Sequence, residues 1–212
     1  MENGQVLNVG TPPDSPAPII EVRDRGSLDM NVLVLLSGGI DSTACVSYYT
    51  NLGYSVKGIF IDYGQAAAVK EFESAAKVSG HYSIELDRHS CSLGHDFSVG
   101  EIPGRNAFLV LCAIMAYPGF KGILSMGIHS GVPYYDCTEA FVADMNKILV
   151  GYRAGQVVLD TPFLKWSKGM IFTYCTENKV PISLTYSCEE GFEKPCGKCR
   201  SCLDRSVFDE TP

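Results

Sequence analysis

Two groups of residues in this chain have the types and spacing to do chemistry. The first is the string Ser37-Gly38-Gly39-Ile40-Asp41-Ser42-Thr43, which follows the apolar run ending at Leu36 and opens what reads as a helix. A loop at a helix N-terminus presents unpaired N–H groups and a positive dipole end to an anion. Paired glycines let the backbone approach that anion closely, and the hydroxyls of Ser37, Ser42 and Thr43 offer further hydrogen bonds. The string, preceded by Leu36 and with Ile40 at its centre, therefore reads as a phosphate cradle and not as an ordinary capped turn. Asp41 would repel phosphate directly, so it is assigned to magnesium or to capping the helix. The pattern is not a Walker A loop, because no GK[ST] follows, and it is not GxGxxG.

The second group is Cys188, Cys196, Cys199 and Cys202, spaced C-x7-C-x2-C-x2-C. Four thiolates so spaced can close a tetrahedron around zinc at about 2.3 Å each, leaving no position open, so such a metal would be structural. An iron–sulfur cluster is the competing occupant. The cations Lys194, Lys198, Arg200 and Arg205 and the short span favour a zinc folding clip, of the kind that contributes on the order of 10 kcal/mol to small peptides.

The elements that must position these groups alternate. Strands are predicted at 31–36, 56–61, 82–86, 123–128, 157–159 and 182–185. Helices are predicted at 42–52, 65–79 (buried through Ala68, Phe72, Ala75 and Ala76, and stopped by Gly80), 105–117, 137–149 and 167–178. The helix at 105–117 is apolar almost all round, as a helix covered on several sides would be. Such alternation implies an α/β fold with a doubly wound, mostly parallel sheet. Residues 1–29 hold four of the chain's eleven prolines and no sustained period, and read as a disordered or appended tail. The domain is predicted to span residues 30–212, with a zinc-binding segment at 186–206.

Composition narrows the class. At 212 residues, 46% apolar and 19% charged, the chain suits one globular domain, and no apolar run reaches the length of a membrane span. Lys and Arg total 17 against 24 for Asp and Glu, a negative balance that argues against nucleic acid as partner. Nine cysteines without a secretory leader read as a reduced, cytoplasmic protein whose clustered thiols bind metal. His81, His89, His95 and His129 lack metal-ligand spacing, and Cys91, Cys112 and Cys175 read as small apolar residues. Cys137 is the one isolated thiol placed where it could touch a substrate.

The string SGGIDS resembles the pyrophosphate loop of the N-type ATP pyrophosphatases, whose fold is adenine nucleotide alpha hydrolase-like. With Phe60–Gln65 (FIDYGQ), Pro103–Asn106 (PGRN), Tyr135–Cys137 (YDC), Thr161-Pro162 and Tyr186–Cys202, the chain from about 31 to 206 is similar to one subfamily, the 7-cyano-7-deazaguanine (preQ0) synthases. The resemblance implies ATP, Mg2+ and Zn2+ as cofactors and 7-carboxy-7-deazaguanine as substrate. ATP adenylates its carboxylate, ammonia displaces AMP to give the amide, and a second activation gives the nitrile. It further implies that residues 36–43 hold the pyrophosphate, with Arg105 and Asn106 completing the nucleotide or deazaguanine pocket. Lys168 would meet developing phosphate charge, Asp136 would read the guanine-like edge, and the protein would be a homodimer.

The chain departs from that subfamily around the substrate. In the segment Gly127–Thr138 an upstream acid is missing and Thr138 replaces an arginine, and Ala66, Ala67 and Ala68 stand where a basic residue and a histidine are usual. Adenylation is therefore the firmer expectation, and the acceptor is open: ammonia, or an amine on another molecule such as a protein N-terminus. Two other readings compete, a tRNA thiolase of the same superfamily and a non-catalytic partner within an assembly. A glutaminase domain has no place in the predicted fold.

Overall fold

The computed structural model describes residues 30–91, 97, 100–129 and 131–209. The predicted tail at 1–29 and the assignment of His95 lie outside the described residues. Within them, strands β1 (Asn31–Leu35), β2 (Ser55–Asp62), β3 (Glu85–Ser90), β4 (Gly122–Ser125) and β5 (Val157–Asp160) form one five-stranded sheet in the order β3-β2-β1-β4-β5. Every pairing is parallel. The chain order reverses between β1 and β4, and ligands of such sheets sit in the crevice beyond the strand ends at that point.

Helices α1 (Ile40–Asn51), α2 (Ala68–Tyr82), α3 (Arg105–Ala116), α4 (Glu139–Arg153), α5 (Lys168–Glu177) and α6 (Arg200–Asp209) complete the fold. Alternation along β1 explains the two layers. Val32, Val34 and Leu36 enter one core with Ala44, Tyr49, Ala75 and Ile171 from α1, α2 and α5. Leu33 and Leu35 enter the other with Val110, Phe141 and Leu149 from α3 and α4. A sheet buried on both faces needs continuous apolar strands, as β1 shows.

Local chemistry sets the ends. The Thr138 and Ser167 hydroxyls accept the N–H groups of Phe141 and Met170, starting α4 and α5, as serine and threonine do at an N-cap. Helix α2 passes through Gly80 to Tyr82, and Ser83 ends it in the left-handed region at φ 54°, so β3 begins later than predicted. The face buried on α2 includes Ser74, Ala75 and Val78, while Ala76 is exposed. The predicted strand at 182–185 is a 3₁₀ turn, Ile182–Leu184, and α6 was not predicted. Helix α3 buries only Asn106, Val110 and Ala113 and leaves Met115 exposed, a thinner cover than its composition predicts.

Gly122 enters β4 at φ 136°, where a Cβ would come 2.3 Å from the Asn31 carbonyl oxygen of β1. Gly122→Ala is expected to lower unfolding free energy by about 2 kcal/mol or more, measured by urea denaturation. An unchanged midpoint would contradict this close approach.

Candidate nucleotide site and cysteine cluster

At the switch point, β1 delivers Ser37, Gly38 and Gly39 into the first turn of α1. Gly39 occupies the N-cap without a side-chain cap. Thr43 donates both its backbone N–H and its hydroxyl to the Gly39 carbonyl, at 3.1 and 2.8 Å, and the Ser42 hydroxyl donates to the same oxygen at 3.1 Å. Ser42 and Thr43 are buried, so their hydroxyls shape the loop from within, while Ser37, Gly39, Ile40 and Asp41 line the cavity above it. Among the described residues, the amides of Ile40, Asp41 and Ser42 have no acceptor, as expected at a helix start, and remain available to an anion. The loop has the open first-turn amides that a phosphate cradle requires, with Thr43 acting through the backbone.

The loop is pinned from two sides. Gly38 sits at φ 78°, and a Cβ there would meet the Glu71 carbonyl oxygen at 2.5 Å. Its own carbonyl accepts the Ser74 hydroxyl at 2.9 Å and the Tyr186 N–H at 3.0 Å. Gly127, just past β4, packs against the first turn of α1, where a Cβ would lie 2.6 Å from the Asp41 carbonyl carbon. Gly127 falls inside the strand predicted at 123–128, and only the earlier end of β4 at Ser125 brings it to the loop.

Asp41 and Lys168, 127 residues apart, meet across the cavity. The ammonium donates to both carboxylate oxygens, at 2.7 and 2.5 Å. The pair is only partly buried, so its electrostatic contribution to stability is about 1 kcal/mol at most, and its position at the loop is the more informative fact. Asp41 could bind a cation and Lys168 a phosphate oxygen once a nucleotide separates them.

His129 lies beside this pair and is buried. Its Nδ1 accepts the Gly131 N–H at 3.1 Å, which places the hydrogen of the neutral ring on Nε2. Burial holds the imidazole below its ordinary range, with Asp41 and Asp204 opposing Lys168 and Arg200. Reading His129 as a spacing-free histidine missed this, and the only signal was its position beyond β4.

Arg105 lines the cavity, about 320 Å³ in volume, and an adjoining pocket of about 190 Å³ that Leu36, Ser42 and Asn106 also line. Asn106 donates its side-chain amide to the Asp136 carbonyl at 3.0 Å, and Asp136 Oδ2 lies 3.4 Å from the Asn106 N–H. The Asp136 carboxylate is thus turned to the first turn of α3 and is absent from the lining of both cavities. Cys137 does reach the cavity, and burial pushes its thiol up to about 11, so it is a wall and not a nucleophile.

The four cysteines gather as predicted. Their sulfurs all lie within 4.8 Å of one another, and Cys196 and Cys202 are 3.9 Å apart, against about 3.8 Å for two thiolates on one tetrahedral zinc. The N–H groups of Cys196 and Cys199 point at the sulfurs of Cys188 and Cys196, at 3.4 and 3.3 Å. Burial works against the Cys188 thiolate, yet backbone donation from Cys196 and Glu190 brings it down to about 7. The donor set fits a soft tetrahedral ion. Gly191 packs onto Ala66 so closely that a Cβ would meet its carbonyl oxygen at 2.4 Å, which requires glycine at 191.

A parallel sheet with a glycine loop at its switch point and a cluster of four cysteines defines a doubly wound α/β protein of the kind that binds ligands beyond its strand ends. The family described as "Queuosine biosynthesis protein QueC" matches residues 31–100 and 88–210. A 7-cyano-7-deazaguanine synthase of Desulfitobacterium hafniense (strain DSM 10664 / DCB-2) is 34% identical over 202 residues, covering 82% of this chain and 85% of that protein. Another, of Picrophilus torridus, is 32% identical over 203 residues, covering 81% and 83%. A solved structure of NMN synthetase from Francisella tularensis is 15% identical, with a TM-score of 0.48 over 87% of this chain and 79% of that one. The chain belongs to the QueC family, a family of ATP-using ligases. Among the described residues no helix is long and apolar enough to cross a membrane.

The purified protein is expected to carry about one zinc per chain and no visible chromophore, by elemental analysis and absorption. Iron with a brown colour would contradict the zinc reading.

Proposed function

We propose that this protein activates the carboxylate of 7-carboxy-7-deazaguanine with ATP and converts it to the amide, and through a second activation to the nitrile, in the synthesis of preQ0. The observation that carries the reading is the meeting of Asp41 and Lys168 over the free first-turn amides of α1, in a chain similar to proteins named 7-cyano-7-deazaguanine synthase. A carboxylate is a poor electrophile until its oxygen can leave as AMP. That exchange requires stabilising charge on the phosphates, and preorganised N–H groups and cations are the strong way to do so.

In this reading the amides of Ile40, Asp41 and Ser42 take the pyrophosphate, Asp41 holds Mg2+, and Lys168 turns to a phosphate oxygen. His129 presents its Nε2–H to the same region as a neutral donor. Zinc at Cys188, Cys196, Cys199 and Cys202 is structural. Ammonia from solution is the acceptor, and the protein works as a homodimer in the cytoplasm.

One feature favours a second acceptor. Thr138, where the subfamily has arginine, is committed to capping α4, so the cation expected beside the substrate is replaced by a helix cap. The same activated acid would then meet an amine carried by a partner protein, such as its N-terminus.

Mass spectrometry of the protein with ATP, magnesium, ammonium and 7-carboxy-7-deazaguanine tests the reading. Amide or nitrile with matching AMP is expected. ATP left intact with the acid unchanged would overturn it, and acid consumed only when a partner protein is added would select the second acceptor. Lys168→Ala is expected to lower AMP release by about a hundredfold, while urea stability changes by about 1 kcal/mol or less.

A further inference from the structure

The carboxylates around the cavity are mostly committed. Asp41 holds Lys168 with both oxygens. Asp204 receives Arg200 Nε at 3.0 Å. Glu189 Oε1 accepts the Ser201 N–H and hydroxyl, at 3.1 and 2.8 Å, in the first turn of α6. Asp136 faces the first turn of α3. Glu71 differs: it lines both the main cavity and the adjoining pocket. Among the described residues its one hydrogen bond is from the neutral Gln65 amide, at 2.9 Å. Among the described residues no cation stands within ion-pair distance of it, and the helix start it occupies is its own, the first turn of α2.

That amide is itself fixed. Gln65 Oε1 accepts the Tyr63 N–H at 2.9 Å, so the nitrogen must turn toward Glu71. Burial pushes the Glu71 carboxyl above the ordinary carboxylate range, against the pull of Gln65 and Arg105. A carboxylate set at the wall of a cavity with open acceptor positions is costly unless a ligand supplies donors. Arg105 lines the same two cavities, and the rings of Tyr63, Tyr134 and Tyr186 line the main one.

We propose that Glu71 selects the ring of the acid substrate: its carboxylate accepts the two parallel N–H bonds of a 2-amino-4-oxopyrimidine edge, and Arg105 donates to the neighbouring ring carbonyl. This rests on the function proposed above. Two parallel donors match a carboxylate bidentately. Adenine offers one donor beside a ring-nitrogen lone pair, so the same carboxylate that attracts the substrate repels the base of ATP. Two heterocycles that must share one cavity are thereby sorted. The edge-reading role assigned to Asp136 passes in this proposal to Glu71, because Asp136 is turned to α3 while Glu71 lines both cavities.

Isothermal titration calorimetry of the full chain tests this with three probes: 7-carboxy-7-deazaguanine, its analogue lacking the 2-amino group, and ATP with magnesium. Wild type is expected to bind the first about ten- to a hundredfold more tightly than the analogue. Glu71→Gln is expected to remove that preference while ATP affinity stays within about twofold, with the melting temperature checking the fold. If Glu71→Gln does not fold, the two acids on wild type still decide. Equal binding of both acids by wild type, or Glu71→Gln weakening ATP as much as the acid, would overturn the proposal. Discrimination between the acids without AMP formation would instead overturn the proposed activity and leave the role of Glu71 standing.

Discussion

The carbonyl of Gly38 is where three parts of the chain meet. It accepts the Ser74 hydroxyl from α2 and the Tyr186 N–H from the segment that leads to the cysteines. The residue itself is held at φ 78° with α2 backbone directly beneath it. Only glycine fits both conditions, the left-handed backbone and the missing Cβ. The anion loop is therefore not a free turn between β1 and α1. Its shape is fixed by α2 on one side and by the C-terminal segment on the other, so the amides that would hold pyrophosphate are already oriented before a ligand arrives.

That arrangement gives the cysteine cluster a role at a distance. The buried part of the segment is Cys188, Cys199 and Cys202 with only Tyr186 and Cys196 packed around them, far too small an apolar core to hold itself together. Hydrogen bonds supply part of what is missing. Arg205 donates to the carbonyls of Thr185 and Ile182, at 3.0 and 3.2 Å, and the Ser74 hydroxyl also reaches the Leu184 carbonyl at 2.5 Å. Closing the four sulfurs on one ion would supply the rest. A path from such an ion to a phosphate on the loop would run through Cys188, Tyr186 and Gly38, all neighbours along the chain or by hydrogen bond.

Much of this was legible in the residues alone. Strand β1 read correctly because a parallel strand buried on both faces is one apolar run, β2 because its buried second half ends in Ile59, Phe60 and Ile61, and the gathering of the cysteine quartet because its chemistry is local. The misread elements failed for local reasons too. Gly80 looks like a helix stop, yet Ser83 takes the left-handed cap two residues past the last apolar turn. Helix α6 begins just after Cys199, carries one sulfur, that of Cys202, and is mostly polar, so the metal motif concealed it. The apolar string at 182–185 turns instead of pairing, because its carbonyls are taken by Arg205 and Ser74. Glu71 and His129 were invisible as site residues. Nothing in their neighbours' types marks them, and only the reversal of strand order brings them to the cavity.

The chemistry turns on whether the substrate's own oxygen is carried away on phosphorus. In the proposed reaction, carboxylate attack on the α-phosphorus would break the bond to pyrophosphate, and amine attack on the acyl carbon would then release AMP with that oxygen attached. Turnover of 7-carboxy-7-deazaguanine labelled with oxygen-18 in the carboxylate, with mass analysis of the nucleotide, measures this directly. AMP bearing a single labelled oxygen is the expected result. Unlabelled AMP, or label appearing in inorganic phosphate with ADP as the nucleotide product, would contradict an adenylate held by the Gly38 loop.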